Sequence, residues 1–285
     1  MTCRLHISSV FQRLISVLFC LFLIFACQAL YAQEEKVLEE IAQEDNRNGL
    51  TVNLGADIMS RYIWRGMDFG NSPAIQPNLS LSWNGFNIGA WGTYAFTGHD
   101  TKINDTTIVN EGAYMETDLF VTYTYKWFTA MVFDYFIVNG LNPNTGNRYF
   151  NYRNATTGHT FEGCLSFQGP ESFPMQVLAS TLFYGDDKNK DSTGTYGKGT
   201  KNNFSTYFEL AYKINLTKVR IGLKPFIGGI PFGSSWYGPY AGVTNIGITA
   251  TKEIQITDKY ALPVQVSVIT NPQSQSIFFT FGISL

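Results

Sequence analysis

From Gln275 to the last residue the chain alternates strictly: Ile277, Phe279, Phe281, Ile283 and Leu285 fall on one side of an extended strand, Ser276, Phe278, Thr280, Gly282 and Ser284 on the other. A period of two along a segment this long describes a strand that buries one apolar face. The same period recurs upstream. It predicts twelve strands at about residues 52–64, 74–83, 86–96, 113–125, 128–138, 160–168, 175–184, 205–214, 218–228, 243–255, 261–270 and 276–285. Asn84-Gly85, set between two alternating runs, is the strongest hairpin signal in the chain, and Asp258-Lys259 closes another. That first hairpin sets the frame. Ile75, Pro77, Leu79, Leu81 and Trp83 face one way before it, and Phe86, Ile88, Ala90, Tyr94 and Phe96 continue the apolar side after it.

The connectors alternate in length. Those at 65–73, 97–112, 139–159, 185–203, 229–242 and 271–275 are mostly long and polar or Gly-rich; those at 84–85, 126–127, 169–174, 215–217 and 256–260 are short. Long loops at one end, short turns at the other and an even strand count are the signature of a transmembrane antiparallel up-and-down β-barrel with both mature termini in the periplasm. Composition agrees, with 26 Gly, 23 Phe and 16 Tyr among few charges. Helices do not span, because no apolar run of 18 residues follows the amino terminus, and the remaining spanning solution is a closed barrel. Bacterial outer-membrane barrels end on an apolar or aromatic residue in the strand that the barrel-assembly machinery reads, which makes 276–285 the segment for that partner.

The amino terminus reads as a cleaved signal peptide spanning residues 1–32. Arg4 and Arg13 precede an apolar run of 14 residues, Leu14 to Cys27, shorter than the roughly 20 a membrane helix needs. Cleavage after Ala32 gives a mature start at Gln33, and Ala29 offers a second site. Ile24-Phe25-Ala26-Cys27 is an imperfect lipoprotein box, with bulky Phe25 where a small residue is usual, so acylation of Cys27 is the minor alternative. Residues 33–49 form a weakly amphipathic periplasmic extension, and 50–285 the outer-membrane barrel. Processing leaves Cys164 as the one cysteine, so no intramolecular disulfide forms. It also leaves 18 basic against 22 acidic side chains and no basic stripe, which excludes nucleic acid as a partner.

Charges inside strands cannot face hydrocarbon, where a Lys or Arg at mid-bilayer costs about 2–4 kcal/mol. Carrying the frame through places Asp57, Arg61, Glu116, Asp118, Asp134, Glu162, Glu209, Lys213, Arg220 and Lys224 in the lumen. Two readings fit them: ion pairs that fill and stiffen a narrow barrel, or the lining of a solute path. Arg61 and Arg65, four residues apart on one face of the first strand, either form an anion-attracting constriction or pair with Asp57, Glu116 or Asp68 to hold the rim. Trp64, Trp83, Trp127 and Trp236 fall at strand ends or in connectors, as an aromatic girdle requires; Trp91 is mid-strand and inward, placed to stack on a solute or to plug the lumen. The lumen candidates are therefore Asp57, Arg61, Arg65, Trp91, Glu116, Asp118, Glu162, Glu209, Arg220 and Lys224.

The segments Gly55–Gly66 (GADIMSRYIWRG), Pro73–Pro77 (PAIQP) and Gly89–Gly92 (GAWG), with Glu116–Leu119, Thr181–Asp187, Leu262-Pro263-Val264 and Asn271-Pro272, resemble the TorF-type porin family of Bacteroidota over most of residues 50–285. The resemblance implies a Gram-negative outer-membrane barrel with a porin role, and it carries no catalytic motif and no cofactor. The expected function is passive transport of small solutes or ions through a narrow channel, in contact with outer-membrane lipid and lipopolysaccharide. A structural barrel without an open pore is the alternative. A membrane-edge lipid hydrolase is the rival from another class, but His159 and Glu162 are three apart and so on opposite strand faces, His99 sits in a loop beside Asp100, and no G-x-S-x-G elbow is present. The carboxylates of Asp186, Asp187 and Asp191 have hard-cation character without the Gly and Glu of a calcium loop, which reads as solvated loop charge or contact with lipopolysaccharide and its divalent ions.

Overall fold

Alternation decides the architecture because each apolar face must leave water, and a sheet that closes on itself satisfies every backbone group while it does so. The computed structural model describes residues 49–104, 107–138 and 148–285, with the backbone alone over 99–104 and 107–111. The expected signal peptide and the extension up to Asn48 lie outside the described residues. Among the described residues every regular element is a strand: β1 (Thr51–Met59), β2 (Tyr62–Trp64), β3 (Met67–Phe69), β4 (Ala74–Trp83), β5 (Phe86–Asn104), β6 (Thr107–Tyr125), β7 (Phe128–Val138), β8 (His159–Gln168), β9 (Met175–Gly185), β10 (Thr206–Tyr212), β11 (Ile214–Leu216), β12 (Ile221–Ile230), β13 (Gly242–Thr257), β14 (Tyr260–Asn271) and β15 (Ser276–Ser284).

Sequential neighbours pair antiparallel, β1 pairs with both β4 and β15, and β10 pairs with β12, so the sheet closes. Counting β10 and β11 as one interrupted strand and setting β2 and β3 aside, the wall is a closed antiparallel barrel of 12 strands. The interruption falls at Lys213, whose N–H still donates to Pro174 O, continuing the register toward β9, at 3.0 Å. The short turn Gly169–Phe173 is closed by Phe173 N donating to Pro170 O at 2.9 Å. Two-residue turns join Trp83 to Phe86 and Tyr125 to Phe128. Asn84 and Gly85 both take positive φ, 47° and 82°, as a hairpin turn matching strand twist requires.

The outward face is apolar. Leu79, Leu81, Ile88, Val121, Tyr123, Leu165, Phe208, Leu210, Phe279 and Phe281 are all exposed on it, a belt that only hydrocarbon or another apolar surface matches. Trp83 and Trp127 stand at its short-turn edge, as a girdle requires.

Three expectations are corrected. The first strand does not run to residue 64, because β1 ends at Met59 and Tyr62–Trp64 turns away to pair with Met67–Phe69 as a separate hairpin. The connector at 97–112 is largely a ribbon, since β5 and β6 extend to Asn104 and from Thr107, with register shifts near Gly98 and Lys102. Trp64 and Trp236 belong to no girdle. Their rings meet at 6.0 Å, and both pack on a cluster built on Tyr207, Ile230 and Tyr237.

Candidate functional site

The hairpin β2–β3 is the first connector folded inward. Its two-residue turn is Arg65-Gly66, with φ of 52° and 82°. A left-handed conformation is ordinary for Gly but costs a residue with a Cβ, so Arg65 is held there by what its side chain finds. At Gly66 a Cβ would meet the Thr244 carbonyl oxygen of the barrel wall, and Gly66 O accepts from Asn271 Nδ2 at 3.2 Å. The tip therefore reaches across and touches β13 and the end of β14.

Arg65 binds Glu162 on β8 through both guanidinium nitrogens, at 2.5 and 3.0 Å. The side chains are 8% and 0% exposed, so this bidentate pair is cut off from solvent. Tyr135 OH donates to Glu162 Oε2 at 2.6 Å, Cys164 Sγ lies 3.4 Å from the same oxygen, and Arg65 also donates to Tyr237 OH. The guanidinium carbon sits 4.3 Å from the ring centroid of Trp64 and 4.6 Å from that of Tyr207, which adds cation–π attraction from both sides. Tyr207 OH donates to Glu209 at 2.5 Å, and Asn245 Nδ2 donates to both at 2.9 and 3.0 Å. One arginine on an inserted turn thus bridges opposite walls of the barrel.

The rest of the hairpin is packed by aromatic rings. Tyr62 lies 5.4 Å from Trp91 and 6.2 Å from Tyr114, Phe69 lies 5.3 Å from Tyr114, and Trp64 lies 5.8 Å from Tyr135. Trp91 therefore packs, its ring tilted by 50° to that of Tyr62, against the inserted hairpin. Tyr114 OH donates to Glu116 at 2.9 Å, and Glu116 and Asp118 are buried beside it on the inward face of β6. Asp118 Oδ1 has no hydrogen-bond partner among the described residues.

Of the remaining candidates, Arg61 pairs within the hairpin segment, 2.5 Å from Asp68, and also donates to Asn71. Asp57 is inward and half-buried, opposite Gln76 and Ser284. Lys224 lines a cavity of about 240 Å³ between the hairpin and β12–β15, with Arg61, Arg65, Glu209, Asn245 and Gln265. Arg220 is not among them. It lies exposed in the turn before β12 with a φ of 53°, and Lys213 is exposed at the strand break.

Asp134 is the clearest departure from the expected frame. Register pairs it with Leu119 and Phe161, which are outward, while its neighbour Tyr135 points in. His159 shares that outward face, 2.7 Å from Asp134 Oδ1 through Nδ1, and its Nε2 donates to Tyr149 O at 2.5 Å. The segment Arg148–Thr157 lies over this pair. Tyr152 stacks on the imidazole with centroids 4.2 Å apart, and Tyr149 packs against Phe136 at 5.1 Å. A charge in the outward register is tolerated here because it is paired and covered. The side chain of His99 lies outside the described residues.

Long loops add a structured end. Asp187 accepts from Ser205 N at 2.8 Å and Ser205 Oγ at 2.5 Å, Lys188 Nζ donates to Asn154 O and Asn202 Oδ1 at 2.7 and 3.1 Å, and Trp236 Nε1 donates to Asp186 O at 3.1 Å. Burial pushes the Asp187 carboxyl up, against the opposing Ser205 bonds, while the Thr193 hydroxyl holds Asp191 down. The three aspartates are thus employed separately.

Sequence reasoning placed Glu162, Arg65 and Trp91 facing inward but named none of Tyr135, Tyr207 and Tyr237, which the structure sets around Arg65 and Glu162. Arg65-Gly66 between the aromatic-rich segments Tyr62-Ile63-Trp64 and Met67-Asp68-Phe69 was the available signal for the inserted hairpin.

No family model and no curated protein matches the chain. Several solved structures are similar, among them these two. One is a chain from work on in-meso crystallization of membrane proteins, 6% identical over 83% of each chain with a TM-score of 0.39. The other is a triple mutant of Rhodopseudomonas blastica porin, 10% identical over 83% of this chain and 99% of that one, with a TM-score of 0.29. Scores this low carry no argument, and the closed barrel rests on its own strand pairing.

Proposed function

We propose that this chain is a porin-like outer-membrane barrel of the TorF type whose lumen is a narrow path for small solutes or ions, held shut by the β2–β3 hairpin. The exposed apolar belt supports the membrane, and the alternation of long and short connectors supports the outer membrane with short turns toward the periplasm. The observation that carries the reading is the buried bidentate contact between Arg65, on an inserted turn, and Glu162 on the wall. A barrel of 12 strands is wider than the eight-stranded barrels that wall side chains fill, so an inserted element is needed to close it.

The test is planar-bilayer conductance of the refolded barrel, comparing the parent with a form in which Arg61–Phe69 is replaced by a short Gly-Ser turn. The parent is expected to be nearly silent and the excised form to show steady, discrete openings. Silence from an excised form shown to be a folded barrel would establish the structural reading instead, because no other part of the described lumen would then be hiding a path.

A further inference from the structure

We propose that Arg148–Thr157 is a binding strap for lipopolysaccharide, in which Arg148 and Arg153 hold a phosphate of its lipid A while Phe150 enters the acyl region. This rests on the reading of the long-connector end as the outer end of the barrel. The strap is built, with Asn151 N donating to Arg148 O at 2.9 Å, Thr156 N and Thr157 N donating to Arg153 O at 2.8 Å each, and Asn151 Nδ2 closing on Thr156 O at 2.7 Å. It is fixed to the outward side of the wall by the Tyr149 and Tyr152 contacts with Phe136 and His159, and by Tyr184 OH donating to Tyr152 O at 2.5 Å. Strands β7, β8 and β9 supply those partners from their outward faces.

What the strap presents is the reverse of what a soluble loop presents. Phe150 is 90% exposed, which water penalises and acyl chains do not. On either side of it Arg148 and Arg153 are exposed, and neither guanidinium bonds to a described residue. An exposed aromatic ring between two arginines in sequence, neither guanidinium bonded to a described residue, on a segment fixed to the apolar side of a barrel near its rim, matches a phosphorylated lipid headgroup by charge and by polarity at once. A phosphomonoester accepts the forked N–H donors of both arginines, which a zwitterionic headgroup does less well.

The experiment is native mass spectrometry of the refolded barrel with bisphosphorylated lipid A, dephosphorylated lipid A or phosphatidylglycerol. Bisphosphorylated lipid A is expected to be retained best, with affinity falling roughly fivefold for Arg148→Ala or Arg153→Ala alone, following about 1 kcal/mol per basic residue near a charged surface. Arg220→Ala, in the turn at the opposite end, should leave binding unchanged. Equal retention of dephosphorylated lipid A, preference for phosphatidylglycerol, or parent-like binding by the double arginine variant would each overturn the strap. Phe150→Ser, which removes an exposed ring and nothing from the core, should weaken retention of every lipid A form. A parent lacking the heat-modifiable gel shift of a folded barrel would instead refute the barrel reading, so the two failures are distinguishable.

Discussion

Arg65→Met is expected to open the barrel and destabilise it together: discrete conductance should appear, and resistance to urea in lipid vesicles should fall by about 3–5 kcal/mol, the usual consequence of stranding one partner of a buried ion pair. Glu162 is 0% exposed and receives Arg65 through two nitrogens, so without the guanidinium its carboxylate is left with neutral donors such as Tyr135, Tyr237 and Cys164. The structure can relieve that only by admitting water, and the hairpin is the part free to yield, since Arg65 carries its principal anchor. The double variant Arg65→Met/Glu162→Met should recover most of the lost stability and close again, because apolar groups of similar volume commonly replace a buried pair at little net cost. A single variant as silent and as stable as the parent would show that the aromatic packing of Tyr62, Trp64 and Phe69 holds the hairpin without the arginine.

The second large effect is expected on the other side of the wall. His159→Leu should destabilise the barrel by about 3–5 kcal/mol, because it leaves the Asp134 carboxylate in the outward register without its partner. Loss of the imidazole also removes the surface on which Tyr152 stacks and the donor to Tyr149 O, so the covering segment is released at the same time. Adding Asp134→Leu to that variant should restore stability, since an apolar side chain is what the outward face otherwise carries. Urea titration of both forms in vesicles decides it. Equal stability of parent and His159→Leu would mean that Asp134 reaches water past the strap. Conductance should not change in either variant, because the pair faces away from the lumen.

Most strand limits were legible because each wall strand has one face in an apolar medium, which imposes a strict period of two on the sequence; 74–83 and 128–138 coincide with β4 and β7. The inserted hairpin was not legible for a physical reason. Ser60–Trp64 continues the alternation of β1, and nothing local distinguishes a strand packing inside a barrel from one forming its wall. Asp134 was misplaced by a sound rule applied without its exception: a carboxylate cannot face hydrocarbon bare, but it can face outward under a strap with a histidine beside it. That strap lies in a connector, where periodicity says nothing. Arg220 was misplaced because the turn before β12 starts later than the pattern suggests, with a residue of positive φ closing it. Glu162 was legible as inward, whereas its arginine partner is 97 residues away, and no local pattern reports a contact of that range.

The seam between β1 and β15 is short. Its register runs over Asp57–Met59 against Ser284–Gly282, extended by Ala56 and Leu285, whereas β1 pairs with β4 from Thr51 to Met59. One edge of Thr51–Gly55 therefore has no ladder partner among the described residues, and bare peptide groups do not persist in hydrocarbon. That edge runs through the apolar belt, since Leu54 pairs with Leu79 and Val52 with Leu81, so the peptide groups of Thr51–Gly55 must find water or a partner there. The β1–β15 seam is therefore the part of the closed sheet with the fewest ladder bonds to break, and opening of the barrel wall would begin there.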